Sequence, residues 1–219
     1  MEFRTKGGAI EYLGGLSEPA KMPCPAFNLQ PLVTCPNGRK LCGVRGSICE
    51  RCYGTNKRSR YVARGYVMVP AWQRRLAATQ KEFFVDAMVR LMRGLPYFRW
   101  HDTGDVYSRA YWACICAIAE RCPETRFWLP TKEYGLLGEK HPGNLMVRFS
   151  APLIDTDARH VERMARRYRH ISTVSTHDSE YRCRSTEGVD RSGVHLQMCN
   201  ECRDCWDDTV PIVDYRFKV

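Results

Sequence analysis

Segments that look like strands alternate with segments that look like helices along most of this chain, and this alternation restricts its fold most strongly. The first kind is short and rich in aromatic and β-branched residues, whereas the second kind has apolar residues every three or four positions. A repeated order of strand, crossover helix and strand predicts a parallel sheet with helices outside it. We therefore expect an α/β fold: a partial (βα) barrel or an open parallel sheet, with a cysteine-rich C-terminal extension.

Residues 1–34 are expected to be irregular, because they contain Pro19, Pro23, Pro25 and Pro31. Helices are predicted at 70–93, 109–121 and 157–169, and Ser108 is the expected cap of the second helix. Strands are predicted at 97–100, 126–129, 145–149, 171–175 and 212–217. We expect residues 1–180 to form the α/β core and residues 181–219 to form a metal-binding extension.

Twelve cysteines are present, and nine of them fall into two groups, one between Cys24 and Cys52 and one between Cys183 and Cys205. The first residues, Met1 to Ile10, contain charges and no apolar block, unlike a secretory signal peptide. No apolar run is long enough to predict a membrane span. We therefore expect a cytoplasmic protein, in which grouped cysteines indicate metal or redox chemistry rather than disulfides.

The first cysteine group has the form Cys35-x6-Cys42-x6-Cys49-x2-Cys52, with glycines and a proline that let the loop fold back. Three of these thiolates on a 4Fe–4S cluster would leave one iron open for a substrate or cofactor. A structural zinc site is the alternative, and a set of incidental cysteines is the third possibility.

The second group, Cys183-x15-Cys199-x2-Cys202-x2-Cys205, contains a CxxCxxC run that favours an iron–sulfur cluster with one remote fourth ligand. Zinc sites more often use two separated CxxC pairs, so zinc remains the alternative here too. The remaining cysteines are assigned differently. Core packing is favoured for Cys114, Cys116 and Cys122, while the role of Cys24 is ambiguous.

Polar residues follow the predicted strands and should meet at one edge of the sheet. The segment from His101 to Asp105 follows the strand 97–100, and comparable segments follow the next strands at Thr131–Tyr134, Ser150 and Thr176–Asp178. His101, Asp102 and Asp105 are candidate acid–base residues. The alternative interpretation of this segment is a strand-to-helix turn, with Asp105 favoured by the dipole of the following helix.

The formal net charge of +10 suggests a polyanionic partner, since basic residues are concentrated between Arg45 and Arg64 beside the first cysteine group. A second basic run, Arg159–Arg169, is explained by a solvated helix face. The chain contains no P-loop, no dinucleotide-binding glycine motif in a strand–helix context and no nucleophile elbow. It also lacks a clear helix-turn-helix pattern.

Taken together, the Cys35–Tyr53 loop, the Phe98–Asp105 segment, Phe127-Trp128 and the CxxCxxC run ending in Trp206 resemble the bacteriophage gene product 88-like family. The resemblance extends over roughly residues 20–215 and implies a phage-encoded protein acting in the cytoplasm of the bacterial host. The interval from Cys42 to Cys52 is longer than in that family, which leaves open which three of the four loop cysteines are ligands.

The layout is also similar to that of the radical S-adenosylmethionine enzymes, in which three loop cysteines hold a 4Fe–4S cluster. There the cofactor chelates the open iron, and the motif after the second strand contacts its amino group. This resemblance implies that the segment His101–Asp105, including Thr103 and Gly104, binds S-adenosylmethionine, and that the second cysteine group holds an auxiliary cluster. The loop spacing differs, since the enzymes usually have CxxxCxxC and this chain has Cys42-x6-Cys49-x2-Cys52.

Two functions follow from these patterns. The first is a radical S-adenosylmethionine-like enzyme with one or two 4Fe–4S clusters, acting on nucleic acid or a nucleotide. The second is a phage-encoded DNA-binding or regulatory protein whose iron–sulfur or zinc sites are structural. An open metal position next to polar side chains would favour the enzyme.

Overall fold

Parallel strands form one open sheet whose spatial order follows the chain order, from β1 at one edge to β6 at the other. This is seen in a computed structural model that describes residues 3–19, 22–52, 54–55, 65–183, 199 and 202–217. Its strands are β1 (Ala26–Phe27), β2 (Tyr97–Trp100), β3 (Arg126–Thr131), β4 (Leu145–Ile154), β5 (Ile171–Ser175) and β6 (Ile212–Arg216). The predicted α/β fold with an open parallel sheet is therefore confirmed.

Helices precede or connect most of the strands. They are α1 (Lys6–Leu13), α2 (Pro36–Leu41), α3 (Gly65–Ala78), α4 (Phe84–Met92), α5 (Arg109–Glu120) and α6 (Ala158–Tyr168), and a 3₁₀ turn covers Asp204–Trp206. The predicted cap of α5 is confirmed, since the Ser108 hydroxyl accepts a hydrogen bond from the Tyr111 N–H at 3.1 Å. None of these helices, within the described ranges, is long and apolar enough to cross a membrane.

The expectation that residues 1–34 are irregular is wrong, because α1 and β1 lie within them. The Thr5 hydroxyl caps α1 by accepting a hydrogen bond from the Gly8 N–H at 3.1 Å. Gly14 ends the helix in the left-handed conformation, with φ 77°. Adjacent glycines at positions 7 and 8 weaken the helix signal in the sequence, and burial of Ala9 and Leu13 against the core compensates for it.

The single helix predicted at 70–93 is also wrong, since the segment forms two helices, α3 and α4, with a turn between them. Thr79 lies where α3 ends. Its hydroxyl donates to the Leu76 carbonyl at 2.6 Å and lies 2.6 Å from the Tyr107 hydroxyl. The apolar periodicity continues across the turn because both helices pack against the same core, so periodicity alone could not reveal the break.

The two faces of the sheet are covered by different parts of the chain. In-register residues Phe98, Phe127 and Leu145 point to the helix-covered face and form the main core with α4 and α5. Their neighbours Trp128 and Met146 point to the opposite face, where Cys205 and Trp206 pack on them. We call this second surface the tail-covered face, because the C-terminal tail supplies its cover.

Candidate functional site

The first cysteine group folds around Gly38 at the start of α2. A Cβ atom added at Gly38 would lie 2.7 Å from the Cys35 Cβ, 3.8 Å from the Cys35 Sγ and 3.7 Å from the Cys49 Sγ. The third thiol, of Cys52, interacts electrostatically with both of the others. Three of the four predicted ligands of this loop, Cys35, Cys49 and Cys52, are therefore neighbours, and we call them the converging thiols; a side chain at position 38 would crowd Cys35 and Cys49.

Cys42 is placed differently from these three. It is exposed, and its thiol donates a hydrogen bond to the Arg39 carbonyl at 3.0 Å. Its electrostatic influence on the Cys49 thiol is smaller than those of Lys132, Cys52 and Asp105. The loop thus presents three converging thiols and one that is turned toward its own helix.

Burial makes the Cys35 and Cys49 thiols hard to ionise without a metal. Burial, followed by the nearby Asp105 carboxyl, raises the pKa of Cys35 to about 12. Burial also raises the pKa of Cys49, against the opposing effect of the Lys132 ammonium. The Cys35 and Cys49 thiols are protonated at neutral pH in the metal-free protein, and binding a metal would release their protons.

Hydrogen bonds from α2 join the cysteine loop to the end of β3. The backbone N–H of Asn37 donates to the Glu133 carboxylate at 2.8 Å, and the Asn37 side chain donates to the Lys132 carbonyl at 2.7 Å. The loop consequently lies at the carboxyl edge of the sheet. We call this edge, with its cysteine loop, the rim.

Asp105 organises the rim beneath the cysteines. Its buried carboxylate accepts hydrogen bonds from the Thr131 hydroxyl at 2.6 Å, the Val106 N–H at 2.8 Å and the Lys132 N–H at 2.9 Å. Burial raises the pKa of Asp105 despite these three donors. The carboxyl group is held in one orientation close to Cys35 and Cys49.

Glu133 was not singled out from the sequence, although the segment Thr131–Tyr134 was expected at the rim. The residue is 1% exposed, and burial raises the pKa of its carboxyl to about 7, with Asp105 contributing further. A carboxyl with such a pKa can both give and take a proton near neutral pH. The only sequence signal for it was a charged residue directly after a buried strand.

His101 lies on the helix-covered side of the rim rather than among the cysteines. Its backbone is left-handed, with φ 53°, and its ring is 3% exposed, with Nε2 lying 3.0 Å from the Tyr111 hydroxyl. Burial, followed by the positive charge of Arg99, lowers the pKa of His101 to about 3. The ring is therefore neutral at physiological pH, and its Nδ1 makes no hydrogen bond to any described residue.

The other members of the predicted segment hold neighbouring chain segments in place. Asp102 forms an ion pair with Arg99 at 2.9 Å, and the Thr103 hydroxyl donates to the Leu29 carbonyl at 2.9 Å. Gly104 has φ 85°, and a Cβ there would lie 2.7 Å from both the Leu29 Cβ and the Thr34 Oγ1. These contacts fix the segment that leads into the cysteine loop.

The second cysteine group lies on the tail-covered face. Cys205 is buried beside Cys183, and its Sγ lies 3.3 Å from the Tyr215 hydroxyl. The Cys202 thiol also interacts electrostatically with the Cys183 thiol, and the Cys199 Sγ lies 3.7 Å from the Met22 sulfur. The indole N–H of Trp206 donates to the Phe98 carbonyl at 3.1 Å and anchors this group to β2.

Cys24 joins this second group, which sequence spacing did not indicate. Its side chain is 8% exposed within the cluster that contains Cys183 and Cys205, and its thiol interacts with that of Cys199. Burial raises the pKa of Cys24 to about 12, while Arg99 opposes this effect. In contrast, Cys114, Cys116 and Cys122 pack with the helix-covered core, as predicted.

The two cysteine groups can be compared with the donor sets of protein metal sites. Within the described ranges, no three His, Cys, Asp or Glu side chains have the arrangement of a metal site. The donor set of clustered thiols nevertheless fits iron–sulfur or zinc chemistry. The surroundings of Cys205 also fit such a centre. Arg148 is 0% exposed there, and its Nη1 makes no hydrogen bond to a described residue. Such a buried cation fits an anionic thiolate centre.

The predicted basic stretch Arg45–Arg64 is described only in part, since residues 53 and 56–64 lie outside the described residues. Its described arginines, Arg45 and Arg51, line a groove of about 420 Å³ beside the rim. Thr176 and Phe217 form part of the opposite wall, and the Arg51 guanidinium lies 5.7 Å from the centre of the Phe217 ring.

Comparison with protein families finds one that fits nearly the whole chain: the model described as gene product 88 matches residues 4–208. Neither the curated proteins nor the solved structures contain a match.

Proposed function

The chain belongs to the gene product 88 family, and from its own rim we propose that it is an iron–sulfur enzyme of the radical S-adenosylmethionine type. The observation that carries the proposal is the convergence of Cys35, Cys49 and Cys52 while Cys42 is turned away. Three thiolates on a 4Fe–4S cluster leave one iron without a protein ligand. A tetrahedral structural zinc site would instead use four.

The order of the strands supports the same proposal. All neighbouring strands are parallel and follow one another in chain order, so their carboxyl ends form one continuous rim. The cysteine loop follows β1, and the segment His101–Asp105 follows β2. The cluster and the cofactor-binding segment of the proposed enzyme would thus be adjacent.

The chain's own residues would bind and orient the cofactor. Asp105 and Glu133 are buried carboxyls beside the converging thiols, and together they could receive the ammonium group of an amino acid moiety. The cluster, when bound, supplies one electron for cleavage of the sulfonium carbon–sulfur bond. Thr103 and Gly104 would fix the loop that carries Cys35. The neutral His101 would position the segment His101–Asp105.

A nucleic acid or a nucleotide is the substrate class that we propose for this enzyme, acting in the cytoplasm of the bacterial host. The groove beside the rim supports this, since two arginines and an aromatic ring line it together with the carboxylates of Glu50 and Asp155. Phosphate groups pair with guanidinium groups, and bases stack on aromatic side chains.

Iron and sulfide analysis of anaerobically purified protein tests the cluster. With both cysteine groups loaded, we expect about eight irons per chain. Cys35→Ser, Cys49→Ser and Cys52→Ser should each remove about half of the iron, whereas the matched variant Cys42→Ser should retain it. Zinc in place of iron, with equal losses from all four variants, would favour the DNA-binding or regulatory protein with structural sites.

A further inference from the structure

Cys24 is brought to the second cysteine group from the opposite end of the chain. We propose that Cys24 is a ligand of a polythiolate metal centre on the tail-covered face, together with cysteines of the group Cys183, Cys199, Cys202 and Cys205. The inference rests on the proposed function, since it assumes that the second group holds an iron–sulfur centre.

The position of Cys24 follows from the sheet. Ala26 pairs with Arg99 of β2, so the residues just before β1 run along the edge of the tail-covered face. Met22 lies there too, and its sulfur contacts the Cys199 Sγ at 3.7 Å across 177 residues of sequence. Both ends of the chain thus supply sulfur atoms to one buried cluster.

The surroundings of this cluster are suited to negative charge. The guanidinium groups of Arg99 and Arg203 lie on this face, stacked 4.5 Å and 4.7 Å from the ring centres of Trp128 and Tyr97. A centre with four thiolate ligands carries a net negative charge, which nearby cations stabilise in a dry environment.

Arg148 is a further cation beside these cysteines, and it is more deeply buried. It is 0% exposed, and it donates hydrogen bonds to the carbonyls of Asp204 at 2.6 Å, Cys205 at 3.1 Å and Asp207 at 2.8 Å. Those bonds satisfy part of the guanidinium, and its Nη1 has no hydrogen-bond partner among the described residues. A buried cation is costly without a compensating anion. The Asp204 and Asp207 carboxylates supply part of that charge, and a thiolate centre including Cys205 would supply more.

Metal content in a background without the rim cluster tests the proposal. A Cys35→Ser/Cys49→Ser/Cys52→Ser chain retains only the second group, so its iron, sulfide and zinc report that centre alone. Adding Cys24→Ser should lower this metal content at least as far as adding Cys205→Ser. The control, Cys122→Ser, removes a cysteine that is 1% exposed on the helix-covered side and should leave the content unchanged.

Retention of full metal content by the Cys24→Ser chain would overturn the proposal, and so would a complete lack of metal in the background chain. A native chain that binds metal at the second group but not at the rim would refute the proposed enzyme and leave the Cys24 proposal standing.

A second measurement needs no substitution, in case Cys24→Ser does not fold. Alkylation of the native chain in mild denaturant, in which burial alone no longer protects a thiol, should label Cys24 many-fold faster after chelation than before it, with Cys122 labelled at the same rate in both states. Equal Cys24 labelling in both states, or a Cys24 disulfide in the anaerobically purified protein, would contradict the proposal.

Discussion

His101 illustrates how the surroundings of one side chain decide what it can do. The sequence offers it as a general base beside two carboxylates, but its ring is buried against Tyr111 and is neutral near pH 7. A histidine whose pKa is already about 3 gains little by accepting a proton in a catalytic step. Glu133, with a pKa of about 7, is better suited to proton transfer at the rim.

The lowered pKa of His101 predicts how stability depends on pH. An unfolded histidine binds a proton below about pH 6.5, whereas the folded one does not until about pH 3, so the unfolded state gains protons first. The free energy of unfolding should therefore fall as the pH drops below about 6.5, by up to about 1.4 kcal/mol per pH unit from this group.

Denaturant titrations from about pH 7.5 to 5 measure this effect. His101→Asn, which tolerates the left-handed backbone, should have a weaker pH dependence over this range than the native chain. His141→Asn replaces an exposed histidine and should behave like the native chain. A pH dependence unchanged by His101→Asn would show that the ring is not held neutral by burial.

At the scale of elements, β6 is attached to the start of the tail by a buried ion pair. Arg182 and Asp214 lie 2.8 Å apart, with side chains 7% and 3% exposed. Asp214 also accepts hydrogen bonds from the hydroxyls of Thr173 at 2.6 Å and Ser175 at 2.8 Å on β5. One carboxylate therefore joins β5, β6 and the residue that precedes Cys183.

Removing this carboxylate should be costly. Asp214→Asn leaves the Arg182 guanidinium buried without its counter-charge, and we expect it to lower the free energy of unfolding by about 3–5 kcal/mol. Asp86→Asn removes the carboxylate of an ion pair whose arginine, Arg121, is 49% exposed, so it should cost about 0–1 kcal/mol. Equal losses in urea titrations of the two variants would contradict this explanation.

The groove beside the rim leads to a prediction about binding. Arg45→Gln/Arg51→Gln should weaken binding of a DNA or RNA oligonucleotide and reduce the slope of log affinity against log salt by about two units. Arg159→Gln/Arg166→Gln neutralises two exposed arginines of α6 and should change both quantities much less. Similar effects of the two double variants would assign the binding to overall charge rather than to the groove.

Elements with a strong local period could be predicted from the sequence. The strands from β2 onward and the helices α5 and α6 carry clear apolar patterns, and parallel pairing then places the cysteine loop, Asp105 and Thr131 at one rim. In contrast, β1 has only two residues, so it has no period to detect. The break between α3 and α4 depends on side-chain contacts with Tyr107, which no local pattern reports.

The candidate site was predictable where residues are close in sequence and not where they meet only through the fold. The spacing of Cys35, Cys42, Cys49 and Cys52 identified a cysteine loop, but only the structure distinguishes Cys42 from the other three. Cys24 joins the tail through contacts between opposite ends of the chain. The burial of His101 and Glu133 depends likewise on segments distant in sequence.

At the scale of the whole molecule, the sheet separates two cysteine groups. The rim group lies at the carboxyl ends of the strands beside two buried carboxyls, and the tail group lies on the face opposite the helices. The first arrangement suits a site that must admit a cofactor, whereas the second packs beside Trp128 and Trp206. In the proposed enzyme the rim group performs the chemistry, and the tail group stabilises the fold or relays electrons.

Production of 5′-deoxyadenosine tests the central claim most directly. The anaerobically reconstituted protein is reduced with dithionite, S-adenosylmethionine is added, and the nucleoside is measured by liquid chromatography. We predict that the native chain forms one methionine per 5′-deoxyadenosine and that Cys42→Ser forms as much of both as the native chain. Cys52→Ser should form neither product. A native chain that retains its full iron content and forms no 5′-deoxyadenosine would contradict the account.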